Sequence, residues 1–105
     1  MTYNGWTNYE TWLTNLYFDG YGSIFQELAS EGVFDGMDED EIQGYIAEHL
    51  ETMITDYVDS TVGENSLFIT DIINAFLGEI DYGEMASHYV EDVVDYLKEQ
   101  EEALV

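Results

Sequence analysis

The chain has 105 residues, 24 of them acidic against a single basic residue, Lys98, and its formal net charge is −23. Proline and cysteine are absent, while 46% of residues are hydrophobic and 15% aromatic. These figures exclude phosphate contacts to nucleic acid, which need clustered Lys and Arg, as well as a disulfide framework, a thiolate metal site and a cysteine nucleophile. No apolar run approaches the ~18 residues that span a bilayer. The opening Met1-Thr2-Tyr3-Asn4-Gly5 has no basic segment, so no secretory signal and a cytoplasmic location are expected. Nine Tyr, five Phe and two Trp among many Ile, Leu and Val supply a core, so the chain reads as one folded domain, residues 1–105.

Missing proline and repeated capping boxes predict helices. Thr7-x-x-Glu10 precedes Tyr9, Trp12, Leu13, Leu16 and Tyr17, an apolar stripe at helical spacing, which predicts a first helix near 8–18. Ser23-x-x-Gln26 starts a short second helix that Gly32 ends. Asp38-x-x-Glu41 opens a third, running to Val58. Ser66 caps a fourth from Leu67 to Leu77, stopped by Gly78. Asp81-x-x-Glu84 opens a fifth that runs to Glu102. Short connections rich in Gly, Asp, Asn and Ser join them. The fourth segment is apolar on nearly all sides, with Asp71 its only acid, and such a helix is expected at the centre of a fold. Its β-branched content would also suit a short buried strand. The expected fold class is all-α, a small bundle of five helices around a buried apolar helix at 67–77, with acidic outer faces.

The carboxylates segregate. At 100° per residue the third helix gathers Ile42, Ile46, Leu50, Met53, Ile54 and Tyr57 on one side and Asp40, Glu41, Glu48, Glu51 and Asp59 on the other. The fifth turns Ala86, Tyr89, Val90, Val93, Val94, Tyr96 and Leu97 inward and Glu84, Glu91, Asp92, Asp95, Glu99 and Glu102 outward. Ordinary solvated faces alternate signs, because like charges at i,i+4 cost ~0.2–0.5 kcal/mol a pair. Acids in a last turn also oppose the helix dipole. Acidity therefore reads as a requirement of this surface. At the ~1.7 Å per charge of duplex DNA, 23 charges span ~39 Å. A compact domain of this length is ~33 Å across. The expected charge density is that of a duplex.

Other motifs lead away from catalysis. An EF-hand fails, since Ile42 stands at its fifth position counted from Asp38 and Met37 at its third counted from Asp35. His49 has no second histidine four residues on, and His88 lies among Glu84, Glu91 and Asp92 as a surface titrating group. No nucleophile–base motif or phosphate-cradling loop is present. No catalytic residue, metal or cofactor is expected. The aromatics Tyr3, Trp6, Tyr9, Trp12, Tyr17, Phe18 and Tyr21 read as core and a hydrophobic staple around the first helix, or alternatively as a binding patch or a homodimer contact.

The string Tyr3-Asn4-Gly5-Trp6-Thr7-Asn8-Tyr9-Glu10-Thr11-Trp12, followed by Leu13-Thr14-Asn15-Leu16-Tyr17, resembles a family of small phage and mobile-element proteins that opens with NGWTNYETW. The stretch Asp81 to Asp92 resembles that family's C-terminal helix. The resemblance implies a phage or mobile-element origin, hence the host cytoplasm, and no particular chemistry. The composition is similar to that of phage anti-restriction and anti-CRISPR DNA mimics. Together these features lead to the expectation of a non-enzymatic DNA mimic that blocks the basic groove of a host restriction or CRISPR effector. Its phosphate surrogates would be Asp40, Glu41, Glu48, Glu51, Asp59, Glu84, Glu91, Asp92, Asp95, Glu99 and Glu102. The alternatives are a domain adapted to high salt, and an acidic antagonist or chaperone of another basic protein. Direct nucleic-acid or membrane binding is not expected.

Overall fold

The computed structural model describes residues 2–18, 22–62 and 67–103. Its helices are α1 (Tyr9–Phe18), α2 (Gly22–Ser30), α3 (Glu39–Val62), α4 (Leu67–Gly78) and α5 (Tyr82–Ala103). Among the described residues the one strand-like pairing is an isolated antiparallel bridge between Tyr3 and Trp6. The all-α bundle expected from the sequence is what forms.

Local chemistry sets the helix ends. At α3 the capping box closes both ways: the Glu41 N–H donates to Asp38 Oδ1 at 2.8 Å, and the Asp38 N–H donates to Glu41 Oε1 at 3.3 Å. The helix then continues to Val62, one turn beyond the expected Val58. Past α2, Gly32 takes φ +88°, its N–H bonds the Ala29 carbonyl, and the Val33 N–H reaches back to Leu28, a Schellman ending. Ser23 lies inside α2, whose first residue is Gly22, so it does not cap that helix. The expected Ser66 cap of α4 and the aromatic Tyr21 lie outside the described residues.

The core forms between α3 and α5, which run antiparallel. Ile42, Ile46, Leu50 and Ile54 from α3 meet Met85, Ala86, Tyr89, Val90 and Val93 from α5, and Phe25, Ala29 and Phe34 close the far side. These are the inward stripes expected from the sequence, except that Tyr57 is exposed and the fully buried Met85 was not among them. Gln43 Nε2 donates to the Gly83 carbonyl at 2.7 Å, tying α3 to the first turn of α5. The outcome is elongated, 58 × 31 × 21 Å, with a radius of gyration of 15.9 Å, against ~13 Å for a compact chain of this length.

One expectation is overturned. The segment 67–77 is a helix, not a strand, but it does not sit at the centre. No described side chain of α4 is fully buried. Phe76 and Leu77 pack against the core from its C-terminal end, while Phe68 and Ile72 face solvent. The reason is that the α3–α5 seam already satisfies its own apolar stripes. Among the described residues, α4 meets that core only through side chains near its C-terminal end, Phe76 and Leu77.

Leu50→Ala, at a fully buried seam position, should cost ~2–5 kcal/mol in chemical denaturation. Phe68→Ala on α4 should stay within ~0.5 kcal/mol.

Candidate functional site

The N-terminal string builds a clasp across the junction of α4 and α5. Asn4 (φ +48°) and Gly5 (φ +88°) form the two central residues of a tight hairpin, where positive φ at both positions favours Asn-Gly. Tyr3 and Trp6 exchange backbone hydrogen bonds of 2.7 and 2.8 Å across it. Asn8, rather than the expected Thr7, caps α1: its Oδ1 accepts the Thr11 N–H at 2.9 Å. The Asn8 side-chain amide donates to the Glu79 carbonyl at 2.7 Å, satisfying an acceptor just past α4. Thr11, with no solvent exposure, accepts the Asp81 N–H at 2.8 Å.

Glu84 completes this exchange. The α5 cap is half a capping box, with the Glu84 N–H bonded to Asp81 Oδ1 at 2.9 Å. Its carboxylate turns instead to the Thr7 N–H, at 2.9 and 3.0 Å. Trp6 stacks on His88 with ring centroids 4.3 Å apart and planes 25° apart. His88 is thus both exposed and part of the clasp.

Because Thr11 and Thr14 turn inward, the aromatic stripe of α1 turns out. Trp6 and Phe18 pack against the core. Tyr3, Tyr9 and Trp12 instead form a surface cluster, with Tyr3 edge-on to Tyr9 at 5.2 Å and 4.9 Å from Trp12. Of the readings open for these aromatics, core and staple describe Trp6 and Phe18, whereas Tyr3, Tyr9 and Tyr17 are exposed. A buried hydroxyl with a long-range partner outweighed the apolar pattern.

Ten of the eleven expected phosphate surrogates, all but Glu84, stand exposed on α3 and α5. The fold brings the two acidic sets together at the start of α3, where a cleft of about 470 Å³ is lined by Glu39, Asp40, Glu91 and Asp95, with Lys98 beside them. Glu48, Glu51 and Asp59 continue along α3 away from that cleft. Spread over a 58 Å axis, 23 net charges come to about one per 2.5 Å, a lower density than the ~1.7 Å of duplex DNA. The match in density inferred from a compact sphere is corrected by the elongated shape. Among the described residues no group of three acidic or histidine side chains is placed to hold a metal ion. No helix there is long and apolar enough to cross a membrane.

A second feature went unread in the sequence. Between α1, the C-terminal half of α3, and α4 lies an apolar groove of about 480 Å³, lined by residues such as Leu13, Tyr17, Tyr57, Ile72, Phe76 and Ile80. No lining residue is charged. The signal for it was available in the all-round apolar character of 67–77.

Comparison with known proteins places the chain only at the level of family. It belongs to the family of unknown function DUF7249. The family model matches residues 1–103, nearly the whole chain. No curated protein and no solved structure matches it.

Tyr82, on the first turn of α5, links the seam to the acidic flank. Burial pushes its phenol above the ordinary 10.0, and the nearby Glu51 carboxylate pushes in the same direction. Its hydroxyl is buried with no hydrogen-bond partner. Because the folded-state value is the higher one, the neutral phenol supports folding below pH 10.0, and that support is lost as pH rises through the folded value. Tyr82→Phe should therefore leave stability unchanged or raised at neutral pH, since it removes an unsatisfied polar group. It should also flatten the decline in denaturation midpoint above pH 10.0.

Proposed function

We propose that the protein is a non-enzymatic DNA mimic of phage or mobile-element origin, which occupies the basic nucleic-acid groove of a host restriction or CRISPR effector and excludes DNA. The observation that carries this reading is the placement of carboxylates. Asp40, Glu41, Glu48, Glu51 and Asp59 on α3, and Glu91, Asp92, Asp95, Glu99 and Glu102 on α5, are all exposed on two antiparallel helices packed side by side. A groove built for phosphates meets fixed negative charges at that surface, without side-chain ordering on the scale of a flexible acidic tail.

The charge is also uncompensated where compensation would cost little. None of the helices carries a basic residue in its last turn, although lysines there would stabilise by ~0.3–1 kcal/mol each. Glu84 contributes differently from the other ten, because its carboxylate holds the Thr7 N–H. Specificity beyond charge would come from the spacing of the two acidic rows and from the surface aromatics.

The test is capture from a host lysate at physiological salt on the immobilised protein, followed by elution with duplex DNA. A nuclease or CRISPR complex should be retained and released by the duplex. The combined reversal of Glu48, Glu91, Asp95 and Glu99 to Lys should abolish that retention with helical circular dichroism unchanged. Undiminished retention by the reversed protein, or retention that duplex DNA does not displace, contradicts the mechanism.

A further inference from the structure

The apolar groove is out of place on this molecule. In a chain with 24 acidic residues it is lined by none of them. Asp71, the only carboxylate of α4, lies at helical spacing on the side of that helix away from the groove. Around it the apolar side chains are open: Tyr17 is 76% exposed, Phe68 74%, Tyr57 54% and Ile72 53%. At ~200 Å² per aromatic side chain, the three aromatics alone present roughly 400 Å². That already reaches the size of the largest patch on a typical monomer, ~300–600 Å². It is about half of the ~800 Å² that each partner buries in a standard interface, and the open walls of the groove add to it.

We propose that this surface is the interface of a two-fold symmetric homodimer, in which α4 of each copy lies over the groove of the other. Three features favour a second copy over a different partner. A two-fold interface needs the same face to carry both projection and recess. Here the projecting Tyr17 lines the groove itself, and the exposed Phe68 stands on α4 one helical turn before Ile72, which lines it. A basic partner drawn by charge would meet the acidic rows of α3 and α5 rather than this groove, whose lining carries no charge. Finally, a helix that is apolar nearly all round belongs in an interior, and the second copy supplies a layer over the exposed side of α4. The acidic rows stay outside the interface, so the pairing is independent of DNA mimicry and compatible with it.

The two copies nevertheless repel, each at −23, and this fixes the sign of the salt dependence. Added salt shortens the Debye length from ~8 Å at 0.15 M to ~3 Å at 1 M. Self-association through an apolar face should therefore strengthen, while binding to a basic partner would weaken.

Sedimentation equilibrium of the full chain over a salt series tests this. The expected mass is twice 12.1 kDa, with tighter association at higher salt. Phe68→Asp combined with Tyr17→Asp, both at exposed positions that leave the fold intact by circular dichroism, should raise the dissociation constant by about a hundredfold. A mass of 12.1 kDa at every salt overturns the proposal. So does a dimer indifferent to the double substitution. A chain that stays monomeric but takes up a cationic amphipathic peptide, with that uptake lost in the double variant, assigns the groove to a partner instead.

Discussion

Apolar contact between α3 and α5 is what allows a chain of net charge −23 to fold. Fully burying one Ile, Leu or Met stabilises by ~1.5–3 kcal/mol, whereas a like-charge pair on a helix costs ~0.2–0.5 kcal/mol. Each of Ile42, Ile46, Leu50, Ile54 and Met85 thus offsets several neighbouring carboxylates. The same two helices carry the seam on one side and the acids on the other. Fold and charged surface are consequently inseparable, and repulsion along the outer faces is absorbed by contacts formed by the inner ones.

The N-terminal clasp depends on that seam. Asp81 and Glu84 are placed by the start of α5, and only then can Thr11 accept the Asp81 N–H and Thr7 donate to Glu84. Asn8 joins α1 to the end of α4 through one side chain that accepts at one helix and donates at the other. Most polar letters of the string Asn4 to Trp12 therefore have a structural task. The string points to how the chain is fastened, and the acids and the groove are where it can meet other molecules.

What could be read from the sequence follows from where the physics is local. The box at Asp38 and Glu41, the Gly32 ending and the opposed faces of α3 and α5 depend on residues within a turn or two of one another, and each appears as expected. The orientation of α1 did not, because it is set by hydrogen bonds between residues about 70 positions apart. Thr7 resembles a cap by spacing, yet its N–H is taken by Glu84 and the cap passes to Asn8. For the candidate site, burial of the seam implied exposure of the acids, so their outward placement was legible. The groove was not, since an all-round apolar helix suggests burial within its own chain, whereas α4 packs on the core only through Phe76 and Leu77.

Extreme acidity has two physical uses: presenting charge to a basic partner, or maintaining hydration in concentrated salt. They differ in what the fold must withstand. If the α3–α5 seam holds the chain against its own charge, modest screening is sufficient. The most direct test is thermal unfolding followed by circular dichroism across ionic strength. The account predicts full helicity and a cooperative transition at about 0.15 M salt, where the Debye length is ~8 Å. A chain that is unfolded there and gains its helices only near molar salt would contradict it.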